Sequence, residues 1–191
     1  MEYNHKSGFT LIEAVMVMAI VGVLSVPGAY LMSYFVNNGI YIPNKLNMDM
    51  LASDALDIMI EGDSQAKGLR FSKSIISIQD NRVLFTNQDN QAIRYRLTGA
   101  TEVTLDPYLI YRSINGGPDT VLPYYASRGV RITGKDNKLF TYYDAGDNVT
   151  SDPNSVRRVV IALIAQTGTG SYADLQGRSE QTSSIAVKKF Q

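Results

Sequence analysis

The feature that most constrains this chain is a long apolar run near the N-terminus that carries one carboxylate close to its start. The run extends over residues 9–36, and the acid is Glu13. A helix of this length would be about 40 Å long, enough to cross a hydrocarbon core of about 30 Å. A charge at the centre of a spanning helix costs roughly 2.5–3.5 kcal/mol. Glu13 therefore needs either a partner or a place at the membrane boundary.

The residues before the run predict its orientation. His5 and Lys6 precede it, and the positive-inside rule keeps such a short basic segment in the cytoplasm. A secretory signal would be cut after its apolar region, at small residues. The sequence Pro27-Gly28-Ala29-Tyr30 fits that requirement poorly.

The segment Gly8-Phe9-Thr10-Leu11-Ile12-Glu13 resembles the processing site of type IV prepilins and type II secretion pseudopilins. The resemblance implies that prepilin peptidase cuts after Gly8 and N-methylates Phe9, which gives an N-terminal methylphenylalanine. It also implies an assembly role for Glu13, whose carboxylate would pair with the Phe9 amine of a neighbouring subunit. The alternatives are an ordinary signal anchor, and a Glu13 that only lies at the headgroup boundary.

The resemblance also implies where the protein resides and what it contacts. The precursor would be a single-pass protein of the inner membrane with its C-terminal domain in the periplasm, and would later enter a pilus or pseudopilus. Its partners would be membrane lipid, prepilin peptidase, the inner-membrane assembly platform and other pilin or pseudopilin subunits. The type IV pilus and the type II secretion system remain open alternatives at this stage.

The pattern along the chain predicts an α+β, pilin-like fold, in which a long N-terminal helix packs on an antiparallel β-sheet. After a leader at 1–8 and a transmembrane helix at 9–36, residues 37–68 predict the second half of the helix, with a break near Gly39–Pro43 and a stop at Gly62. Residues 69–191 predict a globular β-rich domain.

Period-two alternation predicts the strands of that domain. They are expected at 70–78, 82–86, 92–97, 102–105, 109–114, 130–133, 139–143, 156–165 and 184–190, with a hairpin turn at 134–137. The apolar run 159–164 predicts a central strand buried on both faces. The order of segments resembles the W-type and J-type minor pilins, through Tyr95-Arg96-Leu97, Ile110-Tyr111-Arg112, residues 139–144 and residues 156–161.

Composition argues against several function classes. The 18 basic and 18 acidic residues balance, and the pairs Arg157-Arg158 and Lys188-Lys189 are typical of polar strand faces, so no nucleic-acid partner is predicted. The chain has no cysteine, and its one histidine, His5, lies in the leader. No catalytic motif is present, and we predict a structural subunit rather than an enzyme. The alternative is a membrane-anchored extracytoplasmic binding or enzymatic domain that carries a prepilin-type leader.

One acidic loop is a candidate metal site. Asp144, Asp147 and Asp152 could supply oxygen ligands to calcium, which takes 6–8 of them. Their spacing does not match the EF-hand pattern. We therefore predict a solvated turn and no cofactor, with calcium as the weaker alternative.

Overall fold

The computed structural model describes residues 10–99, 105–106, 108–124, 126, 130–167 and 177–187. Backbone contacts divide the chain into two compact units, residues 1–40 and residues 41–191. Helix α1, Leu11–Ile60, supplies the described part of the first unit, apart from Thr10, and the beginning of the second. The described strands all belong to the second unit.

The two parts of α1 differ in how their side chains are buried. In the first unit the large apolar side chains are exposed all round the helix, as in a membrane span. In the second unit a stripe at helical spacing is buried, and it consists of Met48, Leu51, Ala52, Ala55, Leu56, Met59 and Ile60. The helical spacing of the sequence predicts an apolar face made of Leu46, Met50, Leu51, Ala55, Ile58 and Met59. Of these, Leu51, Ala55 and Met59 are buried and Ile58 is half-buried, whereas Leu46 and Met50 are exposed.

Gly62 ends the helix, as predicted. Its φ of +94° is a left-handed conformation that side chains disfavour, and its N–H donates to the Ile58 carbonyl at 3.0 Å. A Cβ at this position would lie 2.2 Å from the Ala66 carbonyl oxygen. The helix stops at Ile60, and residues 61–68 form a turn closed by a bridge between Gly62 and Lys67, not the helix predicted there.

The predicted break near Gly39–Pro43 is not an interruption of the helix, because α1 is continuous through it. Proline removes one backbone hydrogen bond from a helix, and a helix of 50 residues keeps the bonds on either side. The same segment does contain the boundary between the two compact units, between residues 40 and 41.

The first sheet has five antiparallel strands that are neighbours in sequence order. It follows a short 3-10 turn, Leu69–Phe71. Its strands are β1 (Ser72–Gln79), β2 (Arg82–Asn87), β3 (Ala92–Leu97), β4 (Ile110–Ile114) and β5 (Thr120–Leu122). Val83, Phe85, Ile93 and Tyr95 are fully buried on one face of β2 and β3. The Tyr95 hydroxyl donates to the Ile58 carbonyl at 3.3 Å, so this face packs on α1.

The second sheet is built around its longest strand. Its strands are β6 (Val130–Gly134), β7 (Phe140–Tyr143), β8 (Arg158–Thr167) and β9 (Arg178–Ala186). Strand β8 pairs with β9 on one side, and with β7 and β6 in succession on the other. The predicted turn at 134–137 is present, since the Asn137 N–H donates to the Gly134 carbonyl at 3.2 Å. However, this turn does not join a hairpin of paired strands, because β6 and β7 each pair with β8.

The turn between β1 and β2 joins the two sheets. The Phe140 N–H donates to the Asp80 carbonyl at 2.8 Å. The Tyr142 hydroxyl lies 3.1 Å from the Gln79 carbonyl and 3.0 Å from the Arg82 carbonyl. One continuous apolar core therefore extends from the buried stripe of α1 through both sheets.

The α+β, pilin-like fold class is confirmed, with two corrections within it. The strands form two sheets, where one was predicted. Strand β8 is central, as expected, but its residues alternate between buried and half-buried, so it is not buried on both faces. The strand expected at 102–105 falls mainly on residues 102–104, which lie outside the described residues.

Candidate functional site

Thr10 and Glu13 form a capping box at the N-terminus of α1. The Thr10 N–H and hydroxyl both donate to Glu13 Oε2 at 2.9 Å, and the Glu13 N–H lies 3.3 Å from Thr10 Oγ1. This reciprocal pair satisfies backbone donors that the first turn of a helix leaves free. The carboxylate is therefore held beside residue 10.

Thr10 is a functional candidate that the sequence analysis did not single out. The signal was available, because a Ser or Thr three residues before a Glu, ahead of an apolar run, is typical of a capping box. Gly8 and Phe9, the predicted cleavage and methylation residues, lie outside the described residues. Their roles remain predictions.

The helix that follows Glu13 is built for an apolar environment. Among the described residues, α1 is the one helix long and apolar enough to cross a bilayer. Its large apolar side chains between Leu11 and Val36 are 49% to 85% exposed. Burying apolar surface is worth about 25 cal/mol per Å², so this helix gains from either lipid or neighbouring helices.

Each of the three calcium candidates already has a partner: two of the carboxylates accept backbone hydrogen bonds within turns, and the third forms an ion pair. Asp144 Oδ1 accepts the N–H groups of Gly146 and Asn148 at 2.8 and 2.9 Å. Asp147 pairs with Arg158 at 2.9 Å, and Asp152 accepts the Asn154 N–H at 3.0 Å. Over the described part of the chain, no group of three or more acidic, histidine or cysteine side chains could hold a metal.

A buried arginine fastens the turn after α1 to the first sheet. Arg112, on β4, is fully buried, and its Nη1 lies 2.9 Å from Asp63 Oδ1. Its Nη2 donates to Gln65 Oε1 at 2.9 Å and to the Tyr124 hydroxyl, which in turn donates to Asp63 Oδ2. A buried charge is costly unless it is paired. These groups supply the pairing, so this cluster fixes the path of residues 61–68.

The cluster changes the acidity of Asp63. Burial alone would raise the pKa of this carboxyl, but hydrogen bonds from Arg112, Tyr124 and the backbone N–H groups of Gln65 and Ala66 outweigh it. The net effect lowers the pKa of Asp63 from about 3.8 to about 2. The cluster holds charge in place and leaves Asp63 ionised above pH 4, a state suited to a structural anchor.

Comparison with known proteins bears on the N-terminal segment. Residues 3–29 match the family model described as the prokaryotic N-terminal methylation motif. No curated protein and no solved structure matches the chain at the significance required. The matched range contains Gly8, Phe9, Thr10 and Glu13, so the capping box lies inside the segment that the motif defines.

Proposed function

We propose, from the N-terminal methylation motif matched at residues 3–29, that the chain is a minor pilin or pseudopilin of the type IV prepilin family. The motif indicates a methylated, membrane-anchored structural subunit rather than an enzyme. In the proposed pathway, prepilin peptidase removes residues 1–8 and methylates Phe9. The subunit then leaves the inner membrane for a type IV pilus or a type II secretion pseudopilus.

The observation that carries the proposal is the combination of the matched motif with an exposed apolar helix. A helix that is apolar on every side is stable only in lipid or among other helices. The subunit would be stored in the inner membrane by this single span, with residues 41–191 in the periplasm. Transfer to a filament would exchange lipid contacts for helix contacts, under the action of the assembly platform.

Glu13 would pair with the methylated Phe9 amine of the next subunit. Both Thr10 donors bind Glu13 Oε2, and no described residue donates to Oε1. The carboxylate can therefore keep its capping role and accept an ammonium N–H on its other oxygen. Within a bundle of apolar helices this pair would fix the axial offset between subunits, because each charge is costly without the other.

Mass spectrometry of the mature N-terminus tests the processing step. We expect the chain to begin at Phe9 with one added methyl group. Gly8→Ala should block cleavage and leave the leader attached, whereas Ser7→Ala, which changes the neighbouring residue, should be processed normally. A native chain that still begins at Met1, or that is cut beyond the apolar run, contradicts the proposal.

We propose that the subunit needs no metal or cofactor. Because the acidic loop is closed by its own backbone and by Arg158, adding calcium or a chelator should leave the thermal unfolding temperature of the full-length protein in detergent unchanged. Asp144→Asn should behave in the same way in both conditions. A rise of several degrees with calcium that Asp144→Asn abolishes would contradict this expectation.

A further inference from the structure

A cavity lies beside strand β7, at the junction of the two sheets. Its walls come from the turn between β1 and β2, from β7 with the turn before it, and from residues 149–151. Its volume is about 290 Å³, close to the lower end of the range of about 300–1,000 Å³ that is typical of ligand sites. We name this space the β7 cavity, and its size suits one small molecule.

Alternate residues of β7 turn their backbone groups away from β8. The Leu139 carbonyl accepts the Ala162 N–H at 3.0 Å, and Phe140 is the next residue in register with β8. In an antiparallel pair of strands, hydrogen-bonded and non-hydrogen-bonded positions alternate. Phe140 and Tyr142 therefore occupy non-hydrogen-bonded positions, and their N–H and carbonyl groups point to the free edge of β7.

That edge is closed at its two ends and open in the middle. The Phe140 N–H donates to the Asp80 carbonyl at 2.8 Å, and the Tyr142 carbonyl accepts the Thr150 N–H at 2.9 Å. The Phe140 carbonyl and the Tyr142 N–H lie between these two bonds, and neither bonds to any residue that the structure describes. Both residues are buried and line the cavity. Unpaired backbone groups are rare in buried positions, so this acceptor and this donor suit a bound molecule.

An added peptide strand does not fit this edge. Strand addition uses a continuous row of backbone donors and acceptors. The Phe140 N–H and the Tyr142 carbonyl, which such a row would need next, are already bonded within the chain. A passing peptide can therefore pair with β7 through one residue at most. The open middle of the edge favours a compact molecule over an extended chain.

The rim of the cavity selects a neutral ligand that both donates and accepts hydrogen bonds. Asp80 and Lys138 form an exposed ion pair at 3.4 Å, so their charges cancel. Ser151 adds an exposed hydroxyl, and Val149 adds an apolar side chain that is 70% exposed. An anion needs donors and a cation needs acceptors, whereas this rim mixes the two. A hydroxyl group is both donor and acceptor, and its hydrogen rotates toward its partner.

We propose that the β7 cavity binds a neutral sugar, with one sugar hydroxyl accepting the Tyr142 N–H and a neighbouring hydroxyl donating to the Phe140 carbonyl. The remaining hydroxyls would bind the polar groups of the rim. This binding function does not depend on cleavage, methylation or assembly, because every residue of the site lies in the second unit. A single sugar ring makes few contacts, so we expect a Kd of about 1 mM.

Nuclear magnetic resonance of the full-length chain with isotopically labelled tyrosine tests the contact at the Tyr142 N–H. The chain has 12 tyrosines, and Tyr142→Phe identifies the Tyr142 amide signal by its loss. The protein is held in a detergent without a sugar headgroup and titrated with glucose, galactose, mannose and N-acetylglucosamine. We expect at least one of these sugars to shift the Tyr142 signal with saturation, while the signal of Tyr95, buried on β3, stays fixed. No shift with any of these sugars overturns the proposal, and so does a shift produced only by a blocked alanine tripeptide.

Filling the cavity supplies a second readout. Ser151→Trp and Val149→Trp place a large side chain at the rim and should each weaken sugar binding by about tenfold or more, because the sugar ring loses its contacts there. Ser74→Trp makes the same change at an exposed serine on β1 and should leave binding unchanged. Both rim residues are exposed, so the thermal unfolding temperature should stay near that of the native chain. Undiminished binding in both rim variants would place the sugar elsewhere on the molecule and overturn the proposal.

Discussion

Glu13→Gln should abolish incorporation into filaments, with a reduction of about 100-fold or more, while cleavage and methylation continue. Glutamine keeps an oxygen that can accept the Thr10 N–H, so the capping box persists. What the variant removes is the negative charge. An ammonium group left without its partner in an apolar helix bundle costs about 3–5 kcal/mol, and each 1.4 kcal/mol is about a factor of ten.

Thr10→Val is the matched control for this variant. It removes the hydroxyl that bonds to Glu13 but keeps both the carboxylate and the backbone N–H. Loss of an N-cap side chain costs about 1 kcal/mol, so we expect only a several-fold reduction. The measurement is the ratio of filament to membrane protein by immunoblot, with the N-terminus checked by mass spectrometry. Equal loss in both variants would show that Glu13 acts as a cap and not as a charge.

The sequence predicted the elements whose signal is local. The apolar run, the glycine that ends α1 and the alternation in β2 and β3 each depend on neighbouring residues, and each is present in the structure. Strand β9 was predicted only from residue 184, because its first six residues, Arg178–Ser183, are polar. Its pairing with β8 depends on backbone hydrogen bonds, which composition does not reveal.

Arg112 shows why part of the site could not be predicted. Alternation on β4 places it on the same face as Ile110, which is the core side, yet an arginine between strand residues is normally taken as solvent-facing. Its partner Asp63 lies on a different element, beyond the end of α1. Only the folded structure brings the two charges together, so the burial of Arg112 depends on a contact that the strand pattern does not contain. The second sheet was missed for a similar reason, since sheet membership is a long-range property.

Arg112→Met should destabilise the second unit by about 3–5 kcal/mol, because it leaves the partly buried Asp63 carboxylate without its cation. Methionine has a similar length and no charge. For a unit of this size the thermal unfolding temperature should fall by about 10 °C, measured by circular dichroism on the full-length protein in detergent. Arg178→Met, at an exposed position on β9, should change it little. A loss below about 1 kcal/mol would show that the cluster is not an anchor.

The pH dependence of this loss separates lost charge pairing from lost packing. In the native protein the pKa of Asp63 is lowered from about 3.8 to about 2. A lowered pKa gives stability that is fully present above the unfolded value, and this stability disappears as pH falls from about 4 to about 2. In Arg112→Met the burial that raises the pKa of Asp63 remains, but the cation that lowers it is gone. Protonation of Asp63 on acidification therefore removes the unpaired charge that destabilises the variant. The difference in unfolding free energy between the two proteins should therefore shrink over this window.

A double-mutant cycle with Asp63→Asn, which keeps an acceptor for the Gln65 and Ala66 N–H groups, should show the same coupling at neutral pH. A difference that stays constant with pH would assign the loss to packing around the Arg112 side chain.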